Sequence, residues 1–370
     1  MRASFGRSAA VLLLIVSAIA IQSRAIASPW VTAYYCTWTL TSPTPDNLDL
    51  HGITDLIFFS LKPNPDGTLS DPNGTVAANA AAVKLAAHKA KAKILICIGS
   101  GGSGLSFEGA ISPANQTAFV QNIVAWVHTN GYDGVDVDME PVSTEDGPAY
   151  QSFIRALRAA LGPHALLTAA VQPYGDATVF APIQTDFNQI NIMTYDLSGP
   201  WAGWCSWFNS NLYTAKNTMP SNGRPMPSCD QSLQTYITAG IAPSKLAISA
   251  CFYGMAWTGD TGPMQNITGA TTLAITYEQI VDKYYTPDVA QWDPNTHASY
   301  LSLRTITPVQ FISYDSPQLC QDKVKYVLSN HLGGLMCWNI GQQYCPTHPV
   351  ADQNPLLTAI STEFESSGKK

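Results

Sequence analysis

The stretch Asp133-Gly134-Val135-Asp136-Val137-Asp138-Met139-Glu140 decides how this chain reads. Successive side chains of a β-strand alternate between its faces, so Asp136, Asp138 and Glu140 project one way and Val135, Val137 and Met139 the other. One strand must then satisfy an apolar face and a face of three carboxyls. A parallel barrel does both. The apolar row packs against an outer layer of helices, while the acidic row enters the interior and rises to the C-terminal rim, where barrel enzymes place their chemistry. Carboxyls this close cannot all ionise freely, so at least one pKa is expected to rise and a proton to be shared. Glu140, nearest the rim, is the group placed to meet a substrate as a general acid. A solvated acidic edge does not explain the strict apolar alternation. A divalent cation is the sharper rival, but no second acidic cluster is evident to complete its cage. No cofactor or metal is expected.

Outward from this strand, short β-branched or aromatic runs recur, most of them followed by a helix-like stretch, the rhythm of parallel strands joined by crossover helices. Eight strands are predicted, beginning at Val31, Asp55, Lys93, Gly134, Leu166, Gln189, Lys245 and Gly334. Before the acidic strand, Ser112 is expected to cap a helix and Pro113 to sit in its first turn. Phe119, Ile123, Trp126 and Val127 then form its buried stripe, and Asn130-Gly131 ends it. Between the seventh and eighth strands lie about 75 residues, far more than one crossover helix needs. The expected fold is thus an α/β (β/α)8 TIM barrel of residues 28–257 and 317–370. A small α+β insertion, residues 258–316, would wall one side of a cleft.

Arg2 and Arg7 precede an apolar run from Ala9 to Ile21 and the small-residue site Ala25-Ile26-Ala27, so residues 1–27 read as a cleaved export signal. The expected product is secreted and extracellular, with no later span for a membrane. Loss of Arg2, Arg7 and Arg24 takes a formal net charge of −7 to −10. A mildly acidic, charge-poor chain is a poor partner for nucleic acid or anionic lipid, so a neutral or cationic substrate is expected, bound by a monomer. The 8 cysteines suit an oxidising compartment. Cys36, Cys97 and Cys251 lie in apolar strand-like runs and read as buried thiols. Cys205–Cys229 is the first expected disulfide and Cys337–Cys345 the next. Acceptor sequons at Asn73, Asn115 and Asn266 point weakly to surface positions.

With Asp133, Asp136, Asp138 and Glu140 in an Asp-x-x-Asp-x-Asp-x-Glu strand, the sequence resembles the family 18 glycoside hydrolases, the chitinase family. Tyr34, Met193-Thr194-Tyr195-Asp196, Phe252-Tyr253-Gly254, Phe311-Ile312-Ser313-Tyr314-Asp315 and Gly333-Gly334-Leu335-Met336-Cys337-Trp338 follow in the family's order, over nearly the whole chain. The resemblance implies a substrate-assisted, retaining mechanism, an exception to the scheme of two protein carboxylates. Glu140 would be the acid and then the base, and Asp138 would orient the acetamido N–H. Asp136 would hold a shared proton, and Tyr195 would donate to the acetamido oxygen. It also implies that Trp338, Tyr34, Met193, Asp196, Tyr253 and Trp257 contact a chitin or chitooligosaccharide chain, with Trp338 as floor and Asp133 only supporting the strand. Trp38, Trp201, Trp204 and Trp207 join the tryptophans expected near the rim. Departures occur at Cys97-Ile98-Gly99-Ser100, where Ser-x-Gly-Gly is frequent, at Met255, where an Arg is common, and after Trp338, where an acidic residue is absent. Two other readings stay open: an endo-β-N-acetylglucosaminidase acting on N-glycan cores, and a non-catalytic chitin-binding lectin.

Overall fold

The computed structural model describes residues 28–367, so the predicted export signal at residues 1–27 lies outside the described residues. Eight parallel strands pair in sequence order and close on themselves: β1 (Trp30–Cys36), β2 (Asp55–Pro63), β3 (Lys93–Ser100), β4 (Gly134–Met139), β5 (Leu166–Val171), β6 (Gln189–Ile192), β7 (Leu246–Cys251) and β8 (Gly334–Trp338), with β8 against β1. Their starts fall within one residue of those read from the sequence. The two faces separate as alternation requires. Ala33 and Tyr35 of β1, Leu56 and Phe58 of β2 and Val135 and Val137 of β4 join the large outer core beneath the helices. Tyr34, Ile57, Phe59, Leu95, Cys97 and Met336 form a smaller cluster inside the barrel.

The helix before β4 runs Gln116–Asn130 and starts later than Ser112. The Ser112 hydroxyl bonds back to the Gly109 carbonyl at 2.7 Å, and its own carbonyl accepts the Asn115 and Gln116 N–H groups in a preceding turn. Gly131, at φ 64°, ends the helix. Phe119, Ile123 and Val127 are buried, and Trp126 is half-buried with its ring edge-on to Tyr132. The sequon residue Asn115 is half-buried too, its amide donating to the Pro65 and Gly109 carbonyls.

A five-stranded antiparallel sheet lies between β7 and β8 in the chain, in the order Thr271–Thr276, Tyr253–Thr258, Gln310–Tyr314, Ala298–Leu303, Ala290–Asp293. A helix, Tyr277–Lys283, accompanies it. The strand Tyr253–Thr258 of this sheet includes residues 253–257, which the sequence reading assigns to the barrel, because only Phe252 separates β7 from that strand. The sheet's buried side packs Trp257, Phe311 and Ala298 against Trp207 and Phe208 of the preceding loop.

All eight cysteines are buried and free, which corrects both expected disulfides. Cys205 packs in the insertion's cluster with its Sγ 3.6 Å from Met264 Sδ, whereas Cys229 belongs to the outer core and bonds the Thr194 carbonyl at 3.4 Å. Cys337 faces the outer core, while the Cys345 thiol bonds the Gln343 carbonyl at 3.3 Å. No helix among the described residues is long and apolar enough to cross a membrane.

Candidate active site

The acidic row of β4 climbs from the barrel interior to its mouth. Asp136 is fully buried between Cys97 of β3 and Thr168 of β5. Its Oδ1 accepts the Thr168 hydroxyl at 2.5 Å and its Oδ2 the Tyr34 hydroxyl at 2.8 Å. Burial pushes the Asp136 pKa up, and these hydrogen bonds pull against it. One step higher, Asp138 is buried, and its Oδ1 has no hydrogen-bond partner. Burial raises this carboxyl well above the usual range, and the charges of Glu140 and Asp136 add to the rise. Glu140 reaches the mouth; burial raises its pKa, a hydrogen bond with Asp138 pulls back, and the charge of Asp196 adds to the rise. The arrangement therefore holds a proton shared between Asp138 and Glu140, both carboxyls being raised chiefly by burial. Asp133 stands outside this row. Partial burial would raise it, but the Ile94 N–H, Lys93 and His88, each at 3.0 Å, hold its pKa low.

Gly99 of β3 lies opposite Asp138, at φ +114°. A Cβ there would stand 2.0 Å from the Asp138 carbonyl oxygen and 2.8 Å from the Phe107 ring. The Gly99-Ser100 turn thus allows β3 and β4 to lie this close where the carboxyls emerge.

Tyr195 and Asp196 follow β6. The Asp196 carboxyl accepts the hydroxyl of Tyr253, and burial raises its pKa while that bond lowers it. The Tyr195 ring lies nearly parallel to Trp338, with centroids 6.4 Å apart. Trp338 gathers an aromatic floor, with Phe59 at 4.9 Å, Tyr34 at 5.3 Å and Trp38 at 6.2 Å.

These groups line a cleft of about 560 Å³ that runs from Glu140 and Trp338 out to Lys62, Asp71 and Asn73. A shallower extension of about 320 Å³ continues past Glu140 and Asp196 to Tyr174. Glu140, Asp138, Tyr195, Trp338, Tyr34, Met193 and Asp196, singled out in the sequence, all line the cleft. Asp136 and Tyr253 stand behind it, through the hydrogen bonds above. Trp257 is misplaced by the sequence reading: it is fully buried inside the insertion's cluster, because its strand belongs to the second sheet. Trp207 is buried there as well, its Nε1 donating to the Pro227 carbonyl at 3.0 Å. Trp201 stays about half exposed, edge-on to Trp204, and Trp38 is exposed at the cleft. Sequence reasoning missed Phe59, Ser60, Lys62 and Asp71. The signal for Phe59 was present, since Asp55, Ile57 and Phe59 alternate along β2 as the carboxyls do along β4. Among the described residues, no group of three or more His, Cys, Asp or Glu side chains is arranged to hold a metal ion.

Comparison with known proteins places this geometry in a family. The model of glycosyl hydrolases family 18 matches residues 31–343. A probable endochitinase of Caenorhabditis elegans is 27% identical over 283 residues, covering 70% of this chain and 45% of the relative. Endochitinase 1 of Metarhizium robertsii is 26% identical over 281 residues, covering 66% and 60%. The chain therefore spans about half the length of the curated relatives it matches. Among solved structures, the Group IV chitinase of Ostrinia furnacalis superposes with a TM-score of 0.77 at 20% identity, over 91% of this chain and 100% of that one, a likeness of fold. The family match begins in β1 and runs past β8, across the strand that carries Asp136, Asp138 and Glu140, and the chain belongs to the glycosyl hydrolases of family 18.

Proposed function

We propose that this chain is an exported chitinase that hydrolyses β-1,4-linked N-acetylglucosamine chains with retention of configuration. The observation that carries the reading is the buried, unpartnered Oδ1 of Asp138 beside Glu140, in an aromatic-floored cleft. An acceptor without a donor is costly in a buried site, and an acetamido N–H supplies one. In the first half-reaction Glu140 gives its proton to the glycosidic oxygen, and the substrate's acetamido carbonyl oxygen bonds to the anomeric carbon as the bond to the leaving sugar breaks. Asp138 stabilises the N–H as positive charge develops, with Asp136 behind it, and the Tyr195 hydroxyl fixes the carbonyl oxygen for attack. In the second half-reaction the Glu140 carboxylate takes a proton from water. That water attacks the anomeric carbon and opens the oxazolinium ring. Trp338 forms the apolar floor beneath the sugar, and Tyr34, Met193 and Asp196 complete its walls.

The openings on both sides of Glu140 favour an extended linear chain over a branched glycan core. Export, with loss of residues 1–27, belongs to this reading on the strength of the N-terminal sequence, as does action as a monomer without a cofactor. The test is cleavage of a chitin hexamer by the chain from Ser28, followed by mass and by the anomeric form of the first products. β-Anomers are expected. An intact but bound hexamer would leave a lectin, and release of glycans from a glycoprotein with the hexamer untouched would leave the N-glycan enzyme.

A pH dependence follows. Glu140 must be protonated to act as acid, and its folded pKa is raised by burial and by the charge of Asp196. Activity is therefore present below that raised value and is lost as pH climbs through it, with the alkaline limb of kcat/KM above the ordinary glutamate value of about 4.3. Asp196→Asn removes one of the raising charges, so its limb should lie at lower pH than that of the parent. An unmoved limb in a pH–rate titration would break this link.

A further inference from the structure

The segment carrying Tyr195 and Asp196 belongs to no helix or strand, because β6 ends at Ile192. Asp196 sits at φ +52°, a left-handed conformation that disfavours residues with a Cβ. Such a conformation persists only where the surroundings over-determine it. Asn209, fully buried, meets this segment twice: its Oδ1 accepts the Asp196 N–H at 3.2 Å and its carbonyl accepts the Leu197 N–H at 3.1 Å. Its remaining groups hold two other elements. Nδ2 donates to the Cys251 thiol at the end of β7 (3.4 Å), and the backbone N–H donates to the Ser313 hydroxyl in the inserted sheet (2.9 Å). Ser210 continues the clamp, donating to the Thr194 carbonyl at 2.7 Å and accepting from the Lys323 ammonium at 2.5 Å. Thr194, Asp196 and Leu197 are thus each gripped by consecutive residues of a loop that is itself pinned to the barrel and to the insertion.

We propose that Asn209 is a positioning residue for the reaction: it sets the Asp196 backbone so that the carboxyl reaches the Tyr253 hydroxyl and the Tyr195 ring faces Trp338, while Asn209 itself touches no substrate. Neither end of its side-chain amide serves its own loop. The acceptor holds the reacting segment and the donor holds β7, a division of labour that an apolar side chain of equal volume cannot reproduce. The inference rests on the chemistry proposed above for Tyr195 and Asp196, and it extends the site to a residue buried behind the cleft wall.

The experiment compares Asn209→Ala with Ser313→Ala by kcat and KM on the chitin hexamer, by the pH profile, by thermal unfolding and by the crystal structure of each variant. Ser313→Ala removes the hydrogen bond to the Asn209 N–H and leaves the Asp196 contact in place. Asn209→Ala is expected to lower kcat by about 10- to 100-fold with a much smaller change in KM, as displacement of a catalytic group by an ångström does. Its alkaline limb should also move to lower pH. Asp138, Asp196 and Tyr195 are the titratable groups facing Glu140, and of the two on the segment that Asn209 holds only Asp196 bears a charge that raises the Glu140 pKa. Ser313→Ala should lose stability with kcat and the pH limb little changed. Equal kcat losses with an unmoved limb in both variants would overturn the proposal, as would a crystal structure of Asn209→Ala in which Asp196 keeps its positive φ and its bond to Tyr253. If the parent chain leaves the hexamer intact, the proposed function fails separately, and the conformation of Asp196 in that crystal structure decides the positioning role alone.

Discussion

Glu140→Gln is expected to cut kcat/KM on chitin oligomers by about 10²–10⁴-fold, the range over which a positioned acid or base contributes. The substitution keeps the shape of the side chain and removes its proton and its charge. Binding should survive, because the aromatic floor around Trp338 is untouched. Thermal stability should hold or rise, since Glu140 is largely enclosed and its charge raises the pKa of Asp138. Hexamer cleavage, tryptophan-monitored binding and thermal melting on the same preparation check the three parts. A variant retaining more than a tenth of the parent rate would dismiss Glu140 as the acid.

Lys323→Met should produce the largest loss of stability. Lys323 and Asp315 are both buried and lie 2.6 Å apart, with Asp315 Oδ2 also accepting the Cys251 N–H at 3.1 Å. Burial opposes the charge on Lys323, but the Asp315 carboxylate outweighs it and holds the ammonium above its usual pKa. Burial likewise pushes Asp315 up, and Lys323 draws it down. Removing one partner strands a buried carboxylate, a change that costs about 3–5 kcal/mol in comparable pairs. Chemical denaturation should show that loss for Lys323→Met. The double variant with Asp315→Asn, which keeps an acceptor for Cys251 and carries no charge, should recover part of it. A single variant as stable as the parent would show that the pair contributes nothing to folding.

The barrel was legible because buried parallel strands read as apolar runs, and because β4 carries its carboxyls on one alternating row. That same alternation placed Asp136, Asp138 and Glu140 correctly relative to one another, and it would have found Phe59 had it been applied to β2. What failed depended on direction in space. Cys205 and Cys229 flank one loop, yet their thiols enter different clusters, and sequence spacing does not record which way a thiol points. Trp257 follows β7 closely enough to suggest the rim, but the chain passes through Phe252 directly into the second sheet and carries the indole inside it. Asn209 gave no signal at all. Asn209 takes its role from four partners scattered between Asp196 and Ser313, two met by its side-chain amide and two by its backbone, and no local pattern announces them.

The eight enclosed thiols give this molecule an internal clock. Burial raises the pKa of each, so none offers a reactive thiolate while its surroundings stay closed. A thiol reagent added to the native protein can label a cysteine only when the element around it opens, and the label then records that event permanently. Cys36, Cys97 and Cys251 time the opening of the barrel's interior, Cys320 and Cys337 the parting of its helical layer, and Cys205 the loosening of the insertion. Sorted by mass, the labels would rank these regions by how often each breathes, and so separate motions of the cleft wall from melting of the barrel.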